Sequence, residues 1–312
     1  MEGIVIALVA LGFLFDVFLR AFIIRARISK LTLMLATLAI FPLKAFAGTD
    51  NAATLHNKAT EGSTLDKTGT AHNWTGGYWG LNAGYGWSGQ AVAFLPAGGR
   101  ASVTALASGL APSASFDRSG GLIGLQAGYN WQYKGWVAGI EGDIVLSDIS
   151  GKGVRIVTPF PGLSWQTNSE QKLRGFSTLR ARLGFLPVEH LLIYGTGGLA
   201  IGDVREMAST GQSSVVNFTF SGGGTSISCP PFAPCALGSQ SRIVTGVVLG
   251  GGVEWAVSAN VSFKAEYLHL DFGDQNVNMR FVQSTGSPAP GLAAKFNNDG
   301  TDIVRLGFNL KY

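Results

Sequence analysis

The sequence predicts an all-β chain folded as an eight-stranded antiparallel transmembrane β-barrel, with short periplasmic turns and long extracellular loops. Three observations carry this. In Gly121–Gln132, Ile123, Leu125, Ala127, Tyr129 and Trp131 alternate with Gly124, Gln126, Gly128, Asn130 and Gln132. Period two over about ten residues is a strand with one apolar and one polar face, the pattern of a barrel strand between lipid and lumen. The pattern also appears earlier, where Gly80–Trp87 reads GLNAGYGW against GLQAGYNW at Gly124–Trp131. The third observation is composition. Glycine takes 44 of 312 residues, about twice the usual ~7%, and charged residues only 13%, about half the usual ~25%. With 46% hydrophobic residues the chain is no disordered segment; it suits a glycine-rich β-protein with apolar surface toward lipid.

Residues 1–47 read as an N-terminal extension and signal peptide. Arg25, Arg27 and Lys30 precede an apolar core over Leu31–Leu43, and Ala45-Phe46-Ala47 is an A-x-A cleavage signal. Ile4–Ile24 has the length of a membrane helix, but Asp16 and Arg20 inside it argue against one. Residues 48–73 are polar and without period, a flexible periplasmic leader. The barrel then runs over 74–312.

Eight strands follow in order. They are about Tyr78–Trp87, Gly121–Gln132, Trp136–Leu146, about Leu173–Phe185, about Leu191–Gly202, Thr245–Ala256, about Val261–Leu270 and Asp302–Tyr312. Each has a definite outward phase except the fifth, where glycine and apolar residues occupy both. Connections after the second, fourth and sixth are short (Tyr133–Gly135, Pro187–His190, Val257–Asn260). The others, at roughly 88–120, 147–172, 203–244 and 271–301, are long and read as surface loops.

The inward phase collects charge. Glu141, Asp143, Glu254 and Glu266 are acidic; Arg180, Arg182, Lys264 and Arg305 are basic, with Arg174 and Lys311 in the same phase. An unpaired buried ion costs several kcal/mol, so these side chains are expected to pair in a lumen charge network. Eight strands leave an interior just wide enough for side chains, which favours a filled lumen over a charged constriction of a narrow pore.

Few residues point to catalysis or ligation. Cys229 and Cys235, in CPPFAPC, suggest a loop disulfide in an oxidising compartment; two free thiols are the other reading. A metal site lacks a nearby histidine or third cysteine. Gly195–Ala200 fits G-x-G-x-x-A, but no helix pattern or acidic partner follows. His269, with Glu266 and Asp271 near in sequence, is the one strand histidine, read as an interfacial residue rather than a catalyst. No enzyme activity and no cofactor are expected. The net charge of +4 gives no case for nucleic acid, because residues 1–47 hold five basic and two acidic residues, leaving 18 and 17 for the rest.

Further motifs carry a resemblance. W-T-G-x-Y-x-G-x-N-x-G-Y-x-W at Trp74–Trp87, G-x-Q-x-G-Y-N-W-Q at Gly124–Gln132 and G-x-E-x-D at Gly139–Asp143 begin it. T-L-R-A-R-L-G-F at Thr178–Phe185, G-G-L-A-I-G at Gly197–Gly202, K-A-E-Y-L-H-L-D-F-G at Lys264–Gly273 and the terminal R-L-G-F-N-L-K-Y complete it. Over about 74–312 the chain resembles the small alphaproteobacterial outer-membrane barrels of surface-antigen type, grouped with porin-family and OmpA-like proteins. That implies a surface protein of the outer membrane of a Gram-negative bacterium, supporting envelope integrity. The resemblance leaves a narrow channel or loop-mediated binding of an extracellular ligand or host partner open. The final alternation of Phe308, Leu310 and Tyr312 reads as an anchor in the aromatic girdle and, by likeness to outer-membrane proteins in general, as the signal read by the barrel-assembly machinery.

Overall fold

The computed structural model describes residues 72–97, 111–220, 225–285 and 291–312. The expected extension, signal peptide and all but the last two leader residues lie outside these. The elements are β1 (Gly76–Ala97), β2 (Ala114–Tyr133), β3 (Trp136–Phe160), β4 (Leu163–Val188), β5 (Leu191–Gln212), β6 (Val216–Phe220), β7 (Thr225–Cys229), β8 (Pro234–Ala256), β9 (Val261–Asp271), β10 (Gln275–Phe281), β11 (Ser284–Thr285), β12 (Gly291–Asn298) and β13 (Thr301–Lys311).

Period-two alternation makes these segments strands, and backbone pairing in lipid forces them into a ring, since a free edge would leave unsatisfied groups in hydrocarbon. The ring runs β1-β13-β9-β8-β5-β4-β3-β2 and closes through β1 against β2, all antiparallel. Eight staves and the expected short turns are therefore present. Two staves are each made of two strands: β9 continues as β10 and β12 leads into β13. The upper ring closes separately, through β1 with β12, β12 with β10 and β10 with β8. The breaks carry Gly273 (φ 65°) and Gly300 (φ 82°), left-handed conformations that glycine tolerates best.

The expected long loops are corrected in one respect. Much of their length is strand. β3 and β4 run 25 and 26 residues and meet at a two-residue turn, and β1, β2, β5 and β8 run 20 to 23. A transmembrane strand needs only about 9–11 residues. The remainder continues the barrel beyond the membrane, because the loops' alternating sequence still pairs and still buries one face. Small residues there had suggested coil.

Outward faces mark the membrane. Trp79, Tyr129, Trp131, Trp136 and Trp255 are exposed in an aromatic girdle at one end, and Tyr85 stands at the other. From Trp79 to Trp87 is about 27 Å along the strand, comparable with the ~25 Å apolar band of such barrels. Above it the outer wall carries ion pairs: Lys172 with Asp148 at 2.6 Å, Arg174 with Asp203 at 3.5 Å and Lys152 with Glu170 at 3.3 Å. Arg174 thus faces outward, against expectation. Pairing of β4 with β5 slips between Leu173 and Gly175, and that bulge reverses the phase above it.

Candidate functional site

Strand phase sends all eight expected network residues into the lower lumen, where each is at most 4% exposed. The four acids and four bases balance. Arg180 on β4 contacts three acids: Glu266 at 3.0 Å, Asp143 at 3.1 Å and Glu141. Arg305 on β13 reaches Glu266 at 2.6 Å and Asp143 at 2.8 Å. Lys264 meets Glu141 at 2.8 Å, and Arg182 meets Glu254 at 3.0 Å. Every acid is thus shared or paired, as a low-dielectric interior requires.

Neutral side chains complete the coordination. Tyr78 donates its hydroxyl to Glu141 (2.7 Å) and Tyr194 to Glu266 (3.0 Å). Glu254 accepts from Ser262 (2.6 Å) and Asn309 (2.7 Å), and Asp143 from Thr178 (2.8 Å). The Arg182 guanidinium lies 4.9 Å from the Tyr78 ring and 5.2 Å from the Tyr194 ring while Nε donates to Asn130. An amide ladder, Asn82 to Gln126 to Asn309, extends this shell across the adjacent strands β1, β2 and β13. The charge pattern did not reveal the tyrosines. Tyr78 could have been found from its even-numbered phase on β1; Tyr194 lies on β5, whose facing was ambiguous. The structure resolves β5: even-numbered residues from Leu192 to Gln212 point inward.

The inward phase is not polar throughout, which corrects the expectation of a polar interior. Directly above the charges, Leu122, Val145, Ile149, Phe176, Val204, Val248, Leu268, Leu270 and Ile303 form a buried apolar layer. Higher still comes a polar tier. Arg118 donates to Asn298 (2.8 Å) and Thr301 (3.1 Å), and Glu206 accepts from Gln171 (2.7 Å) and Arg242 (2.9 Å). A second apolar layer, with Trp165, Met279, Leu292 and Phe296, lies among the upper strands. The reason is dryness: an interior filled by side chains without lining water packs like a soluble core.

At the periplasmic mouth His72, assigned to the leader, is buried with its ring 4.7 Å from that of Trp74. Burial lowers its pKa below the ordinary 6.5, and the nearby Lys311 and His190 act in the same direction. Lys311, counted with the inward charges, hydrogen-bonds the Asn73 carbonyl at this mouth and stays outside the network.

The remaining predicted residues separate. Cys229 and Cys235 form a disulfide with Cα atoms 4.7 Å apart. Glu266 points into the lumen, on the opposite face of β9 from His269. The Nδ1 of His269 lies 2.8 Å from Asp302, its cross-strand partner, and Tyr267 donates to the same carboxylate at 2.6 Å. Phe308 pairs with Leu81 of β1 and Leu310 with Trp79, so the last strand closes the ring; the Tyr312 amide donates to the Gly77 carbonyl. Among the described residues no cluster of three or more His, Cys, Asp or Glu is arranged to hold a metal ion.

The family match and the sequence relatives agree with this architecture. Residues 33–311 match the family described as outer membrane protein beta-barrel domain. The 31 kDa outer-membrane immunogenic protein of Brucella melitensis is 34% identical over 258 residues, 77% of this chain and 84% of that one. The 22 kDa outer membrane protein of Rhizobium leguminosarum bv. viciae is 29% identical over 56% of this chain and 59% of that one. Among solved structures, the outer membrane protein OprG of Pseudomonas aeruginosa is similar over 77% of this chain and 99% of its own, at 11% identity and a TM-score of 0.44.

Proposed function

The chain belongs to the outer membrane protein β-barrel family, and from that premise we propose that it is a structural surface protein whose lumen is closed to solutes and which contributes to envelope integrity. It resides in the outer membrane of a Gram-negative bacterium. The observation that carries the reading is the neutral network of four acids and four bases capped by a continuous apolar layer. The cavity at the periplasmic mouth, about 20 Å³, has room for only about one water. An ion crossing this interior must displace paired charges and then cross a dry apolar layer, and both steps are costly.

Single-channel recording of the refolded protein in planar bilayers tests the closed lumen. No reproducible channels are expected. Channels whose size or conductance changes in Arg180→Gln or Arg182→Gln would establish a conducting lumen instead. A strain lacking the protein is expected to be more sensitive to detergents; unchanged sensitivity would remove the integrity role.

The C-terminal alternation supports a second proposal, that Phe308, Leu310 and Tyr312 are the segment recognised by the barrel-assembly machinery. Deleting Leu310–Tyr312 is expected to leave export intact and abolish outer-membrane insertion. Normal yield with heat-modifiable gel migration would contradict it.

A further inference from the structure

Outside the lumen, the upper wall carries a groove of about 400 Å³, inside the ~300–1,000 Å³ range of ligand pockets. Its floor is the outward face of β3, β4 and β5, where Ile156 is paired with Gln166 and Asn168 with Ser209. One wall is the disulfide loop at Phe232–Pro234. Among the described residues no charged side chain lines it.

Two features distinguish this groove from ordinary polar surface. The first is its floor. Gln166 donates to Asn168 at 2.9 Å, and Asn168 reaches Ser209 at 3.5 Å. This sets amide and hydroxyl groups in a row while leaving further donor and acceptor positions on each amide. The second is Phe232. It is 88% exposed and holds a left-handed backbone, φ 58°, that a phenylalanine rarely adopts. The chain enforces this placement. Pro230, Pro231 and Pro234 stiffen the loop, and the disulfide closes its base. Gln212 binds both limbs, its carbonyl accepting from the Phe232 amide at 2.7 Å and its side chain donating to the Cys229 carbonyl at 2.8 Å. Such strain persists only where the surroundings over-determine it, and it concentrates at ligand clamps.

We propose that this groove binds a neutral saccharide, with the Phe232 ring stacked on the C–H face of a sugar and Gln166, Asn168 and Ser209 hydrogen-bonding its hydroxyls. A saccharide presents both surfaces the groove offers: a flat patch of C–H bonds and a rim of neutral donors and acceptors. A charged glycan finds no countercharge in the lining. A lipid tail finds only Ile156 and Phe232 as large apolar contacts, beyond the membrane band. The saccharide could come from the polysaccharide of the cell's own outer leaflet or from glycans of another surface. The proposal is independent of whether the lumen conducts.

Saturation-transfer NMR and calorimetry on the refolded full-length protein test it. The probes are a panel of neutral oligosaccharides, the purified O-polysaccharide of the producing bacterium, and a sulfated oligosaccharide as contrast. Neutral sugars are expected to bind with transfer centred on ring C–H protons. Phe232→Ala and Gln166→Ala should each weaken binding at least about tenfold, and Phe232→Trp should retain it. Both positions are exposed, and heat-modifiable migration verifies folding of each variant. Binding to the cell's own polysaccharide alone supports a role within the envelope, and binding to foreign glycans alone supports a role in contact with other surfaces. Absence of neutral-sugar binding at millimolar concentration, preference for the sulfated probe, or affinity unchanged by Phe232→Ala would overturn the proposal.

Discussion

The lower and upper halves of the lumen occupy the same strands and the same inward phase, yet they are filled by opposite chemistry. On β9, Lys264 and Glu266 enter the charge network, and two and four residues on, Leu268 and Leu270 enter the apolar layer. On β4, Arg182 and Arg180 give way to Phe176 and Leu173. The contrast separates two things that alternation joins. Phase fixes the direction in which a side chain points. What it must be when it arrives depends on its neighbours across the lumen. Burying a charge is costly unless it is paired or hydrogen-bonded, and the lower layer meets that condition with a balanced set while the layer directly above it holds hydrocarbon. Mixing the two within one layer would leave an ion unpaired.

The largest test breaks the balanced set. Arg180→Ala removes the cation shared by Glu141, Asp143 and Glu266 and leaves the layer one positive charge short. Breaking a buried pair by deleting one partner costs about 3–5 kcal/mol, so equilibrium unfolding in denaturant should show a loss of that size or a barrel that fails to refold. Lys152→Ala, which removes an exposed pair on the outer wall, is the matched control, at about 0–1 kcal/mol. Equal effects from the two variants would mean that the network is hydrated and the interior not dry.

How much of this was legible in the sequence follows the same division. The lower half was nearly transparent. Strand phase alone gathered Glu141, Asp143, Arg180, Arg182, Glu254, Lys264, Glu266 and Arg305, because charges recurring at alternate positions between lipid-facing residues have nowhere else to go. Arg174 was misplaced because a bulge shifts register without a mark in the local pattern. The upper half was obscure. Leu122 and Leu268 lie in the phase assigned to a polar lumen, Val204 lies in a stretch read as loop, and nothing local shows that each joins twelve other buried apolar residues. Strand length was underestimated for a related reason: Ser, Gly and Thr in 147–172 and 203–244 resemble coil until they are paired across a hairpin. Phe232 was equally silent, since its exposure and backbone conformation arise from the disulfide and from Gln212, a contact across 20 residues of chain.

The smaller test cuts into the apolar layer instead. Leu270→Ala, at a fully buried position, should cost about 2–5 kcal/mol, with the value set by how far its neighbours collapse into the space. It leaves every ion pair intact, so the lumen should stay closed in bilayer recordings even as stability falls. The combination with Arg180→Ala then asks whether the two layers are separate. Leu270 lies four residues from Glu266 on β9, about 13 Å along the strand, beyond the distance at which mutational effects usually couple. Unfolding energies of the double variant are therefore expected to sum to within about 0.5 kcal/mol. A markedly smaller sum would show that losing Arg180 already loosens the hydrocarbon above it, and that charge and apolar layers stabilise the barrel as one unit.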